Sequence, residues 1–373
     1  KTMIEIKRVE TKTDLMEFIS VPWTIYKNDP NWVPPLISEM KTILSEKKNP
    51  FWKHSEKTLF IALQDGKPVG RVAGVIDRNF VEFQNANTGF FAFFESVDDR
   101  ETATALLDSA MEWLKGKGME SMIGPTAPST NDEMGLLYEG YDSPPFLMMP
   151  YNPPYYHTLL KNYGMEKAKD LLAFFMDEQS APRERLKRIV GAVQKHIPEL
   201  VVRPVNMSDY KQETRRIREI YNSAWEKNWG FVPWTEEEFY SQCERMKSLI
   251  LPETTLLAFV GDRPVGMLIG VPDYNEVLKK LNGRLGPLEI VKFLWYKRKI
   301  KTMRILIMGV IKEYRNRGIE GAMYQKIIEN GFRLGFRGGE FSWILEDNIM
   351  MCRAAEMLGG NVYKRYRVYE MRI

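Results

Sequence analysis

The chain repeats itself, and a repeated chain must fold its basic unit twice. Thr58 opens TLFIALQDGKPVGRVAGVIDRN, and Thr255 opens TLLAFVGDRPVGMLIGVPDYN. Pro68-Val69-Gly70 and Pro264-Val265-Gly266 stand 264 − 68 = 196 apart, and the same offset carries Asp77 and Asn79 onto Asp273 and Asn275. Upstream, IKRVETKTD is similar to VVRPVNMSD, and YKNDPNWVPPL to WEKNWGFVPWT, with Val33-Pro34 against Val232-Pro233. Near the ends of the halves, YYHTLLKNYGMEKAKDLLAFFM parallels MCRAAEMLGGNVYKRYRVYEM at 359 − 164 = 195. Chance matches would not keep this order and spacing, so the chain is expected to be a tandem duplication.

Each half reads as strand, helix, helix, hairpin, strand, long helix, strand, helix, strand. The hairpins follow from two β-rich runs joined by Asp65-Gly66 or Gly261-Asp262. Helices alternating with a mixed sheet give an α/β layered unit, and 373 residues exceed what one core normally fills. The expected domains are 1–177, a linker helix over 178–199 and 200–373. The linker follows from a polar stretch with Pro182 that leads into a basic amphipathic pattern.

Composition removes several function classes. Lys plus Arg number 53 and Asp plus Glu 49, a net charge of +4 that is too mild and too dispersed for a nucleic-acid-binding protein. The two cysteines, Cys243 and Cys352, stand far apart, and the three histidines, His54, His157 and His196, are scattered singly. Neither a metal site nor a serine-type triad is expected. No apolar run approaches a transmembrane span, and the opening residues lack the apolar core of a signal peptide. A cytoplasmic location is the resulting expectation.

The chemistry concentrates in IKEYRNRGIEGAMYQKIIENG, Ile311 to Gly331. A β-rich run, RILIMGVIKEY, meets Arg315-Asn316-Arg317-Gly318 and then a helical pattern that begins at Ile319. A strand that ends in such a turn points backbone N–H groups and the positive end of a helix dipole at one spot, which suits an anion. Gly318 admits a phosphate to the main chain, and Arg315 and Arg317 add full charge.

These residues resemble the signature of the GNAT acyltransferases: Arg or Gln, two variable residues, Gly, one variable residue, then Gly or Ala. The match runs Arg315, Asn316, Arg317, Gly318, Ile319, departs at Glu320, and returns at Gly321 and Ala322. The resemblance covers nearly the whole chain as two tandem GNAT-like domains, each a mixed, mostly antiparallel sheet flanked by helices. It implies an acyl-CoA co-substrate, with acetyl-CoA expected, bound in the second half. The cofactor-binding set is then Val310 beside the pantetheine, the turn residues Arg315, Asn316, Arg317, Gly318, Ile319 and Gly321, and Asn348 beyond the fifth strand. A side chain of Glu320 aimed at the pyrophosphate would repel it, whereas one turned to solvent gains about 0.3 to 1 kcal/mol from the helix dipole.

The first half lacks this turn. Aligning Gly118 with Gly335 (335 − 118 = 217) sets Asp98 and Asp99 opposite Arg315 and Asn316, and Glu101 opposite Gly318. One cofactor per chain is expected. Glu346 is the candidate proton acceptor, and Asp347 is expected to cap the helix that follows. The general-acid tyrosine that the resemblance calls for is replaced by Ala355, and by Leu160 in the first half. Specificity is expected in two insertions, Gly124 to Pro154 and the stretch EVLKKLNGRLGPLEIVKFLWYKRKIKT. The second combines Trp295 and Tyr296 with Lys297, Arg298, Lys299 and Lys301, which suits a solvated face, a membrane surface or an adenine 3′-phosphate. The implied activity is N-acyl transfer to a small-molecule or peptide amine. The alternative is a catalytically degenerate GNAT-fold binding or regulatory module, which Glu320 and Ala355 favour.

Overall fold

The computed structural model describes residues 3–224 and 229–373. Residues 225–228, where the WEKNWGFVPWT match begins, lie outside the described residues. In the first half, strands β1 (Ile4–Arg8), β2 (Ser55–Gln64), β3 (Lys67–Asp77), β4 (Thr88–Ser96), β5 (Ser121–Ala127), β6 (Glu133–Met134), β7 (Leu136–Glu139) and β8 (Glu166–Asp177) alternate with helices α1 (Lys12–Ile25), α2 (Ile37–Ile43), α3 (Arg78–Gln84), α4 (Arg100–Gly116) and α5 (Tyr156–Tyr163). The second half continues with α6 (Arg183–His196), β9 (Leu200–Pro204), α7 (Tyr210–Ala224), α8 (Glu236–Met246), β10 (Thr255–Val260), β11 (Arg263–Pro272), α9 (Asn275–Leu281), α10 (Pro287–Tyr296), β12 (Thr302–Val310), α11 (Ile319–Arg333), β13 (Gly338–Leu345), α12 (Ile349–Met357) and β14 (Asn361–Arg372).

The duplication holds at the level of hydrogen bonds. The β2–β3 hairpin slips register between Ala62 and Leu63, and the β10–β11 hairpin slips between Ala258 and Phe259, again 258 − 62 = 196 apart. Gly70 on β3 and Gly266 on β11 leave room for the long helices: a Cβ would stand 2.7 Å from Leu106 in one half and 3.2 Å from Met323 in the other. Both α5 and α12 are followed by a left-handed glycine, Gly164 (φ 101°) and Gly359 (φ 83°), a conformation that stops a helix at little cost for glycine alone.

Two compact units result, and each is discontinuous in sequence. Unit 1 comprises Lys1–Leu171, Asn275–Trp295 and Lys364–Ile373; unit 2 comprises Leu172–Tyr274 and Tyr296–Tyr363. In unit 1 the sheet runs β1-β2-β3-β4-β5 and is completed by the end of β14. Tyr369, Glu370, Met371 and Arg372 pair antiparallel with Gly124, Ile123, Met122 and Ser121 of β5. Tyr369 joins the core that α4 closes with Leu106, Leu107, Ala110 and Leu114. In unit 2 the order from β13 is β12, β11, β10, β9, and the other neighbour of β13 is β8. Each sheet is therefore completed by a strand from the opposite half of the sequence.

Polar contacts fix the C-terminal strand within unit 1. Arg367 donates from Nε and Nη2 to the two carboxylate oxygens of Asp170 at 2.8 and 2.9 Å and lies over the Tyr138 ring. Fully buried Lys364 donates to the carbonyls of Gly140 and Ser143. His157 stands 2.8 Å from the Tyr369 hydroxyl and 2.6 Å from the Leu137 carbonyl. Within unit 1 each insertion is tied to a residue outside it: Asn275 donates to Pro145 O at 2.8 Å and Trp23 Nε1 to Asn282 Oδ1 at 3.0 Å.

Candidate active site

In unit 2, β12 and β13 run parallel from Thr302 opposite Gly338 only as far as Ile305 opposite Phe341. β12 stays paired with β11 to Val310, opposite Gly266, with Leu306 left over at a bulge between the Ile269–Ile307 and Gly270–Ile305 pairs. From Leu306 onward one edge of β12 is released from its parallel neighbour. Such an edge offers amides and carbonyls to an extended ligand. Buried Val310 ends the strand.

The chain then makes one 3-10 turn, Lys312–Tyr314, and enters α11 at Ile319, where the sequence pattern sets it. Two left-handed positions, Asn316 (φ 59°) and Gly318 (φ 83°), shape the turn. No side chain caps α11. Ala322 N–H bonds Gly318 O at 3.1 Å, so the amides of Ile319, Glu320 and Gly321 precede the intrahelical ladder. Arg315, Asn316 and Arg317 are exposed and Glu320 is half-buried. Arg315 Nε donates to Val310 O at 3.1 Å, and Arg317 lies 5.2 Å from the Tyr314 ring centroid.

The glycines of this turn have a further role that the sequence pattern does not reveal. A Cβ at Gly318 would stand 2.4 Å from Val193 Cγ2, and one at Gly321 would stand 2.7 Å from Ile189 Cγ2. Both partners lie on α6, the expected linker helix. The glycines therefore admit a helix from one side, whatever reaches the amides at the N-terminal end of α11.

The equivalent turn in unit 1 is closed. Leu106 and Met323 occupy equivalent places at 323 − 106 = 217, which aligns Thr102 with Ile319. α4 begins two residues earlier than this register requires, and Asp99 is its cap. The Asp99 carboxylate accepts from Thr102 N at 2.8 Å and from its hydroxyl at 2.6 Å, so a protein anion already holds that amide. At the end of β4, Glu95 accepts from Tyr26 at 2.8 Å and Tyr156 at 2.7 Å, with Arg71 Nη2 at 3.6 Å. Burial pushes the Glu95 carboxyl up from its ordinary value and the Arg71 guanidinium down. This cluster was not read from the sequence, because Glu95 stands in the aromatic run GFFAFFES, where only a contact map would set it apart.

Around the end of β13, Glu346 is half-buried and Asp347 exposed. The helix cap falls to Asn348 rather than Asp347: its Oδ1 accepts from Met351 N at 3.2 Å. The side chain of Asp347 arrives one residue too early for that geometry. Ala355 and Leu160 are both packed in the interior.

A polar network in the β13 region also escaped the sequence reading. Arg304 lies opposite Glu340 in the parallel ladder, with Nε 2.8 Å from Ser342 Oγ and 3.6 Å from Glu340 Oε1. Ser342 and Tyr363 both donate to the fully buried Glu340 carboxylate. Strand alternation puts this network on the face opposite Met303, Ile305 and Phe341. Those three, with Ile327, Phe332 and Met176, line an apolar recess of about 30 Å³ between the C-terminal half of α11 and the paired part of β12 and β13.

A model of the acetyltransferase (GNAT) family matches residues 214–359. Protein YghO of Escherichia coli (strain K12) is 36% identical over 369 residues, covering 97% of this chain and 94% of that protein. A bacterial ceramide synthase of Caulobacter vibrioides is 35% identical over 370 residues, covering 97% of this chain and 96% of that one. Among solved structures, a tandem GNAT protein from the clavulanic acid biosynthesis pathway aligns with a TM-score of 0.60 at 11% identity, covering 99% of this chain and 98% of its own. A GCN5-related N-acetyltransferase from Sphaerobacter thermophilus aligns with a TM-score of 0.54 at 14% identity, over 99% and 95% of the two chains. At those identities the structural likeness shows a shared fold.

Proposed function

The chain belongs to the GNAT acyltransferase family, and on that premise we propose that unit 2 binds an acyl-CoA and transfers its acyl group to an amine. The observation that carries this reading is the release of the β12 edge at Leu306, followed by an uncapped α11 entered through two left-handed residues. The diphosphate meets the amides of Ile319, Glu320 and Gly321, flanked by Arg315, Asn316 and Arg317. The pantetheine lies along β12 towards Val310, and Asn348 borders it from the start of α12.

In the reaction a neutral amine attacks the thioester carbonyl, the carbon–sulfur bond breaks, and the nitrogen gives up a proton. Glu346 takes that proton. Coenzyme A departs as a thiolate and is protonated by water. A thiol has a reference pKa of about 8.5, which makes it a tolerable leaving group without the tyrosine that Ala355 replaces.

The ceramide synthase relative extends the reading to the substrates. A ceramide is the amide of a long-chain amino alcohol with a fatty acid, so the acceptor is an amine of the sphingoid type and the donor a fatty acyl-CoA rather than acetyl-CoA. The apolar recess beside Ile305 and Phe341 has a volume of about 30 Å³, too small for a hydrocarbon chain unless the methionines at its wall, Met303 and Met176, repack to widen it. A binding module without turnover is the second reading, favoured by the loss of the acid at Ala355.

Calorimetry with free CoA, acetyl-CoA and palmitoyl-CoA, followed by thioester consumption in the presence of sphinganine, tests the proposal. One site per chain, tighter binding for the long chain and release of free thiol are expected. Binding with no thiol release across sphingoid bases and water-soluble amines would select the module. Absence of CoA binding would refute the acyl-transfer reading.

A further inference from the structure

The helix α10 is turned inside out. Leu288 is 74% exposed, Val291 65% and Trp295 60%, and Leu285, Ile290 and Leu294 are exposed as well. At about 100° per residue, Ile290, Leu294, Val291, Trp295 and Leu288 form one stripe roughly 160° wide. Glu289, Phe293 and Tyr296 lie off that stripe and are the half-buried residues of the helix. A surface helix of a water-soluble protein normally shows the reverse arrangement. Leucines scattered singly would need no explanation, whereas a contiguous stripe on one helix marks an interaction surface.

The charge beside the stripe identifies what it meets. From Arg284 to Lys301 there are six basic residues, Arg284, Lys292, Lys297, Arg298, Lys299 and Lys301, against one acid, Glu289. The segment thus carries 6 − 1 = +5, more than the +4 of the whole chain. Glu289 is engaged locally, accepting from Gly286 N at 3.2 Å at the start of the helix. A second copy of the chain would bring the same cations to a two-fold contact and gain no counter-charge. A bilayer with anionic headgroups satisfies both features, with the stripe at the acyl boundary and the cations among phosphates. Trp295 and Tyr296, where the stripe meets the basic turn, are the residue types that settle at headgroup depth. Among the described residues no helix is long and apolar enough to cross a membrane.

We propose that the segment Leu285–Lys301 docks the protein on the surface of an anionic bilayer, lying in the interface without spanning it. The inference concerns binding and is independent of the acyl-transfer reading. A protein that docked in this way would be held at the phase where long-chain amines and acyl products reside.

Vesicle flotation tests it with the full chain and two lipid compositions, phosphatidylcholine alone and phosphatidylcholine with phosphatidylglycerol. The wild type should partition onto the mixed vesicles, at least about tenfold better than the Leu288→Glu/Val291→Glu variant. The Lys297→Glu/Arg298→Glu/Lys299→Glu variant should lose the preference for phosphatidylglycerol. All five positions are exposed, so thermal melts and CoA affinity should match the wild type and separate loss of docking from loss of fold. Failure of the wild type to bind vesicles would overturn the proposal, as would equal binding by the Leu288→Glu/Val291→Glu variant. A dimer in solution that this variant dissolves, without any vesicle binding, would assign the stripe to a second copy and overturn it equally.

Discussion

Replacing Gly318 with alanine should damage unit 2 in two separable ways. At φ 83° a residue with a Cβ sits in the left-handed region, which costs about 1 to 2 kcal/mol. The new Cβ would also lie 2.4 Å from Val193 Cγ2, and overpacking of that kind costs about 1 to 3 kcal/mol. The single variant should therefore lose roughly 2 to 5 kcal/mol of stability, the sum of the two effects. In a Val193→Ala background the clashing methyl is gone, and the next atoms, Ile189 Cγ2 at 3.7 Å and Val193 Cβ at 3.9 Å, are at ordinary contact distance. Gly318→Ala should then cost only the backbone term. A double-mutant cycle by urea denaturation reads the difference, a coupling of about 1 to 3 kcal/mol. Calorimetry with CoA on the same four proteins isolates the ligand effect, since Gly318→Ala should weaken binding in either background if its conformation aims the α11 amides. Equal stability costs in both backgrounds would refute the packing of α6 on this turn. Unchanged CoA affinity in the double variant would refute a role for the turn in holding phosphate.

Arg317→Glu should weaken CoA binding by about tenfold or more through reversed charge at the diphosphate, while Asp98→Asn, in the closed turn of unit 1, should leave it unchanged; calorimetry checks both. Glu346→Gln should lower the turnover number by about 10² to 10⁴ while CoA affinity holds, a split that steady-state kinetics reads directly. Arg367→Ala should destabilise unit 1 by about 1.5 to 3 kcal/mol, because it removes the bidentate partner of buried Asp170 while Lys167 and Arg365 still face that carboxylate; chemical denaturation measures this. Burial holds the His157 imidazole below its ordinary pKa. Its contribution is therefore complete above roughly pH 6.5 and shrinks as pH falls further, because the unfolded chain takes up the proton first. Thermal midpoints of the wild type should fall more steeply below that pH than those of His157→Gln.

The sequence by itself determined whatever depends on neighbours along the chain. The 196-residue offset located both hairpins, and the structure adds register slips after Ala62 and Ala258 at the same offset. A strand ending in Arg315-Asn316-Arg317-Gly318 was enough to start α11 at Ile319, since the helix needs only a left-handed entry and an apolar period after it. Which strand completes which sheet was not legible. β8 and β14 stand 361 − 166 = 195 apart with the same length of 12 residues, and backbone hydrogen bonds carry no residue identity. The choice rests on tertiary contacts such as Arg367 with Asp170, Lys364 with two carbonyls and Tyr369 in the core, all remote in sequence. The same reason hid α6 behind Gly318 and Gly321, and Tyr363 beside Glu340: a missing Cβ or a buried carboxylate acquires its meaning from what the fold sets against it.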